Sequence, residues 1–225
     1  METVRTRKAY KGLPMEGPIA SWYTRITLKD IQRHKLMAAQ LVNKIPAGGR
    51  VLEIAPGPGF FCIELAKLGS YQITGLDISK SFVEIAHRNA VQAGAQIDFR
   101  QGNASEMPFE DGSFDFTFCQ AAFKNFSEPV RAIAEMYRVL RPGGTAVIVD
   151  MRRDASQAEI DTEVDGMHLA PLDRFMTRAT FRFMLLKSAY SAAEMRAMVA
   201  QTPFGTGRLD IGGIGFQLWL KKNRE

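Results

Sequence analysis

Cysteine is scarce in this 225-residue chain, with only Cys62 and Cys119. Two thiols without metal-ligand spacing exclude a disulfide framework and a cysteine-built metal site, and predict a reducing, cytoplasmic setting. Long apolar runs are missing too. No stretch approaches the roughly 20 residues that span a bilayer, and the basic amino terminus leads into no apolar signal core, so the chain reads as soluble, unexported and without a membrane span. Histidine is limited to His34, His87 and His168, which leaves few candidates for a general base. No metal site, internal repeat or low-complexity tract is found.

Two nucleotide signatures are absent as well. There is no Gly-Lys-Ser/Thr to cradle a triphosphate, and the third glycine of a dinucleotide fingerprint is replaced: counting from Gly57 and Gly59, that position is Cys62. Neutrality is also missing, since the formal net charge is +5. The excess is local: residues 1–49 carry nine Lys/Arg against three Asp/Glu, or +6, and residues 50–225 carry 20 against 21, or −1. A basic arm of this kind reads first as a solvated extension and second as a phosphate-tracking element.

What is present is a strand, a glycine-containing turn and a helix, Val51-Leu-Glu-Ile-Ala-Pro-Gly-Pro-Gly-Phe-Phe61, followed by a second strand, Tyr71-Gln-Ile-Thr-Gly-Leu-Asp77. Gly57 and Gly59 leave the backbone open where a Cβ would collide with a ligand, and they allow positive φ. Asp77, 18 residues beyond Gly59, ends the second strand at the edge where open α/β sheets bind ligands, and can accept both hydroxyls of a ribose. Glu53 stands two residues before Ala55-x-Gly57-x-Gly59.

Together these residues resemble motif I of the class I S-adenosylmethionine-dependent methyltransferases, usually acid-x-Gly-x-Gly-x-Gly, with Ala55 as a mild departure. Further matches follow in order: Gln101-Gly-Asn-Ala-Ser-Glu-Met-Pro-Phe109, Phe114-Asp-Phe-Thr-Phe-Cys119 and Leu140-Arg-Pro-Gly-Gly144. The resemblance is to the ubiquinone/menaquinone-biosynthesis-like small-molecule group and covers residues 47–150. It implies S-adenosyl-L-methionine as cofactor and S-adenosyl-L-homocysteine as product. Glu53, Ala55, Gly57 and Gly59 would then shape the amino-acid end of the site, with Asp77 at the ribose and Ile78, Asn103 and Ala104 at the adenine. Asn103 replaces the family's acid but keeps an acceptor oxygen. Tyr23, beside Trp22, would close over the methionine end, and Gln120 would line the segment after strand four.

The implied architecture is α/β, a Rossmann-like seven-stranded mixed sheet whose last strand is antiparallel, with helices on both faces. An N-terminal arm and helical cap (1–46) precede a core (47–225) with a helical insert at about 154–188. Strands are predicted at 51–55, 72–77, 96–100, 114–119 and 145–150, and a terminal pair within 205–221 turns at Gly212-Gly213. Helices are predicted across 18–45 and near 59–68, 79–93, 127–140 and 191–201.

The acceptor is expected to be a small organic molecule and nucleic acid is not, since neither Asn-Pro-Pro-Tyr nor Pro-Cys occurs after strand four. His168, in the insert that roofs the substrate in such proteins, is the first choice for a base, unless proximity alone drives transfer. Arg174, Arg178 and Arg182 form a cationic stripe beside Phe175, Ala179 and Phe183; a solvated face over packed apolar residues is the favoured reading, and anion recognition the alternative. Lys124 is expected in solvent, or else at a ligand carboxylate. RNA or protein methylation, and a catalytically silent cofactor-binding protein, are the remaining alternatives. The oligomer is a monomer or homodimer.

Overall fold

The computed structural model describes residues 10–11, 14–167 and 170–224. Seven strands, β1 (Arg50–Ile54), β2 (Gln72–Asp77), β3 (Asp98–Gln101), β4 (Phe114–Gln120), β5 (Leu140–Met151), β6 (Arg208–Gly212) and β7 (Gly215–Lys221), form one sheet in the order β3-β2-β1-β4-β5-β7-β6. β1 to β5 are parallel, and β7 pairs antiparallel with both β5 and β6.

Strands covered on both faces read as continuous apolar runs, and β1 and β4 are accordingly buried along nearly their whole length. Alternation sends neighbours to opposite sides. Val51, Phe116, Phe118 and Val147 pack with Ala38 and Leu41 of α2 (Ile31–Leu41) and Phe61, Cys62 and Leu65 of α3 (Phe60–Ala66). Leu52, Ile54, Cys119 and Ile148 pack with Ile133 and Met136 of α5 (Pro129–Val139) and Met195 and Val199 of α8 (Ala192–Ala200). α4 (Lys80–Gln92) is capped by Ser79, whose hydroxyl accepts from Phe82 N, as the sequence predicts.

The single helix expected over 18–45 is two. α1 (Gly17–Lys29) stops at Asp30, where φ −104° and ψ 25° leave the helical region, and α2 restarts at once. Thr24 and Thr27 turn their hydroxyls back onto Ala20 O and Tyr23 O, a bonding pattern that bends helices and weakens the last turns. β3 begins two residues later than expected. β5 begins five residues earlier: Leu140 pairs with Phe114, while Thr145 pairs with Phe116, so Arg141 to Gly144 form a bulge inside the strand. Gly143, at φ 78°, supplies the left-handed turn it needs.

The insert contains α6 (Gln157–Gly166) and α7 (Pro171–Thr180), the latter prolonged by a π turn at Phe181–Leu185. Ile160, Val164, Phe181 and Leu186 anchor it to Met151 at the end of β5 and Ile214 at the β6–β7 turn. Buried Arg152 ties it further, donating to Gly213 O, Asp154 O and Glu159.

Candidate functional site

Chain connections diverge between β1 and β4: β1 leads outward to β2 on one side, β4 to β5 on the other. Such a reversal opens a crevice at the carboxyl ends of the strands, where α/β sheets take their ligands. Both bordering strands end in an alanine at φ 56°, Ala55 and Ala121. Each keeps its N–H in the ladder, Ala55 to Leu76 O and Ala121 to Val149 O, both at 2.8 Å, while the chain turns away. A left-handed alanine costs roughly 1–2 kcal/mol, and such strain persists where the surroundings over-determine it.

The turn after β1 uses its glycines differently. Gly57 (φ 54°) has open space where its Cβ would stand, so this is the backbone that a ligand can approach. Gly59 (φ 79°) corrects the sequence reading: its Cβ would meet Phe99 Cζ at 2.7 Å and Ala86 Cβ at 3.0 Å, so it is excluded by the protein's own packing.

Asp77 reaches across from the end of β2. Its Oδ2 accepts from Gly57 N at 3.0 Å and its Oδ1 from Ser79 N at 2.9 Å. Burial pushes this carboxyl up to about 6, against the lowering effect of those two bonds. Each oxygen retains a free lone pair for a further donor. Glu53 lies on the α3 side of β1, and its Oε2 accepts from Cys62 Sγ at 2.8 Å. Burial raises Glu53 to about 7 and drives the Cys62 thiol well above its usual range. Cys62, noted in the sequence as a scarce thiol and a missing glycine, is thus the partner of the motif acid; its spacing of nine residues from Glu53 was the available signal.

Asn103 turns its Oδ1 onto Ser105 N at 2.9 Å, so the oxygen expected to meet an adenine already holds one backbone donor. Ala104 packs partly buried against the core, and Ile78 is half-buried, its carbonyl accepting from Gln101. Gln120, at the end of β4, has a buried Oε1 with no hydrogen-bond partner. Tyr23 packs edge-on against Phe82 of α4, 5.7 Å between centroids, and with Ala20, Ile85 and Met15 anchors α1 beside the turn after Asp77. Trp22 next to it faces solvent. Glu16 reinforces the anchor by accepting from Lys80 N and Ser81 N, each at 3.0 Å; although desolvation opposes it, bonds from Ser81, Ser79 and Lys80 hold this carboxyl below its usual value. Sequence reading missed Glu16, which lies 64 residues from the turn it caps.

Lys124 was expected in solvent and is instead buried. Its Nζ donates to Asp150 Oδ1 at 3.1 Å and to Ala121 O at 2.8 Å, while its backbone N–H donates to Asp150 Oδ2. This pair, with side chains 11% and 2% exposed, holds the left-handed turn after β4 to the end of β5. His168, the candidate base, lies outside the described residues. His87 is exposed on α4; His34 packs edge-on against Phe60, and burial lowers its pKa.

The insert's two stripes depart from expectation along α7. Arg178 pairs with Asp161 and Asp165 of α6 at 2.9 and 2.8 Å, and Arg174 with Asp165 at 3.7 Å, so these two members of the cationic stripe face a partner helix while Arg182 is exposed. The apolar stripe, Leu172, Phe175, Met176 and Phe183, faces outward. Carboxylates spaced four residues apart on α6 capture the arginines, and helical geometry then turns the neighbouring stripe away. Among the described residues no cluster of metal-ligating side chains occurs.

Comparison with known proteins fits this geometry. Residues 52–148 match a family described as a methyltransferase domain. A demethylmenaquinone methyltransferase of Deinococcus radiodurans is 37% identical over 108 residues, 48% of this chain and 45% of that protein. A ubiquinone biosynthesis O-methyltransferase of Xanthomonas axonopodis pv. citri is 26% identical over 180 residues, 80% of this chain and 71% of the relative. The chain therefore spans less than half of the first relative. Among solved structures, a Methanococcus maripaludis protein assigned to the S-adenosyl-L-methionine-dependent methyltransferases superposes with a TM-score of 0.75 at 20% identity, covering 97% of this chain and 99% of its own. The [4+2]-cyclase SpnF shares the fold at a TM-score of 0.56 and 20% identity, covering 85% and 81%.

Proposed function

We propose that this chain, whose residues 52–148 are a methyltransferase domain of the S-adenosylmethionine-dependent kind, transfers the cofactor's methyl group to a small organic acceptor. The observation that carries the reading is the buried Asp77 carboxylate beside the open Gly57 backbone, at the point where the strand order reverses.

The residues present suit the cofactor. Asp77 keeps lone pairs for a ribose diol, Gly57 leaves room for a ligand against the main chain, and Gln120 Oε1 is a buried acceptor still lacking a donor. Glu53 would accept from the amino group of the methionine end, and that cation would favour ionisation of a carboxyl that burial holds near neutrality. When bound, S-adenosylmethionine supplies an electrophilic methyl whose leaving group departs neutral. The protein's share is alignment, and positioning of this kind can supply several kcal/mol. Lys124 and Asp150 would contribute to that alignment by fixing the lip of the crevice after β4.

A small, largely apolar acceptor is supported by the insert. It is anchored at the carboxyl end of β5, the same edge of the sheet as the crevice, and presents Leu172, Phe175, Met176 and Phe183 outward. The names of the quinone-biosynthesis relatives point the same way. Incubation with methyl-labelled cofactor and a panel of phenols, hydroquinones and amines tests the proposal. Label is expected in a small organic-extractable product; label found only in RNA or protein would contradict it.

A further inference from the structure

α1 carries an exposed face that joins no hydrophobic core cluster of the described residues. Its inner face, Ala20 and Tyr23, packs on α4. Ile19, Trp22 and Ile26, spaced by three and four residues, share a flanking side and are 40%, 55% and 46% exposed. Arg25 and Lys29 lie along the edge of that stripe, and Lys35 follows on α2; all three are exposed and have no carboxylate partner among the described residues. The helix thus carries its core-facing side and, next to it, an exposed apolar stripe whose solvent edge is cationic.

The charge of the surrounding segment narrows the occupant. Residues 1–49 carry +6, from nine cationic and three anionic side chains, while the rest of the chain is close to neutral at −1. A second copy docking through the same patch would bring one cationic border against another, because a two-fold interface is self-complementary. An extended, negatively charged apolar boundary does not have that problem. A helix with Trp and Ile on one side and Arg/Lys along its margin is suited to lie in the plane of such a boundary, with indole and aliphatic groups below the headgroups and guanidinium and ammonium groups among the phosphates.

We infer that the exposed face of α1, through Ile19, Trp22 and Ile26 with Arg25 and Lys29, docks this protein on the surface of a bilayer containing anionic lipid. This docking is peripheral, since none of the described helices is long and apolar enough to cross a membrane. Attraction to the surface is worth about 1 kcal/mol per cation near it, or roughly fivefold in partition, and is screened by salt. The inference is independent of the methyl-transfer reading and needs no substrate or cofactor to be tested.

Trp22 is a built-in reporter. The chain's other tryptophan, Trp219, is half-buried on β7, so Trp219→Phe leaves the docking residue as the only indole. The full chain is titrated with phosphatidylcholine vesicles with and without phosphatidylglycerol, reading Trp22 emission and co-sedimentation. A blue shift and sedimentation are expected with the anionic vesicles alone, both reversed by salt. Arg25→Gln/Lys29→Gln is expected to weaken partition about 30-fold, and Ile19→Ser/Ile26→Ser to abolish the blue shift, with thermal unfolding unchanged because all four side chains are exposed. Absence of binding to anionic vesicles overturns the inference, as does binding undiminished in the cation variant. Concentration-dependent dimerisation that the Ile19→Ser/Ile26→Ser variant alone loses would instead assign the face to a second copy and also overturn it.

Discussion

Two carboxyls at the crevice carry opposing demands, and pH exposes them. Burial holds Glu53 up at about 7 and Asp77 up at about 6 in the ligand-free protein. The folded state then keeps protons that the unfolded chain has already lost. Their contribution to stability is fully present below roughly pH 4, and it is lost as pH rises through about 6 to 7. A cofactor with a cationic amino group and a ribose diol favours the ionised forms, so its binding releases protons. Calorimetry at about pH 6.5 in two buffers of different ionisation enthalpy should show that release, with affinity rising toward pH 8. Glu53→Gln is expected to flatten the dependence; an unchanged slope would mean that Glu53 does not titrate on binding.

The left-handed alanines make a second test at this scale. Ala55→Gly and Ala121→Gly each relieve a φ of 56° while adding freedom to the unfolded chain. Each should therefore raise stability in urea by about 0.5–1 kcal/mol. Gly59→Ala does the reverse: strain at φ 79° and contact with Phe99 should cost on the order of 2 kcal/mol or more.

At the scale of elements, the buried Lys124–Asp150 pair ties the turn after β4 to the end of β5. Lys124→Met leaves a buried carboxylate without its cation, and an equilibrium urea titration is expected to show a loss of about 3–5 kcal/mol. The βαβ rhythm, the Ser79 cap and the terminal hairpin were legible because they depend on neighbours in sequence: apolar periods, a capping hydroxyl, a Gly-Gly turn. The break at Asp30 and the bulge at Arg141–Gly144 were not, since ordinary-looking Thr24 and Thr27 bend the first, and strand pairing with Phe114 defines the second. The same distinction separates Asp77 and Gly57, read from spacing, from Lys124, whose partner lies 26 residues away, and Glu16, whose partners lie 64 and 65 away. The arginine stripe was visible, but the sense in which Arg174 and Arg178 of α7 face was not, because carboxylates on another helix decide it.

For the whole molecule, strand order does the most to locate function. A reversal between β1 and β4 places the ends of β1, β2 and β4 around one crevice, and Glu53, Gly57 and Asp77, singled out by motif spacing, belong to those ends with Gln120. α1 borders that region, pinned by Glu16 and Tyr23 to the turn that follows Asp77. A protein docked through α1 would hold its crevice near the lipid surface, a setting suited to an apolar acceptor.

The central claim is that the crevice beside Asp77 is the cofactor site. Titration of the purified chain with S-adenosyl-L-homocysteine, followed by calorimetry, tests it most directly. Saturable one-to-one binding is expected for the wild-type chain, with a loss of at least tenfold in Asp77→Ala, where a buried diol would lack its acceptor. Absence of binding, or equal binding by Asp77→Ala while its fold is intact by circular dichroism, would contradict the account.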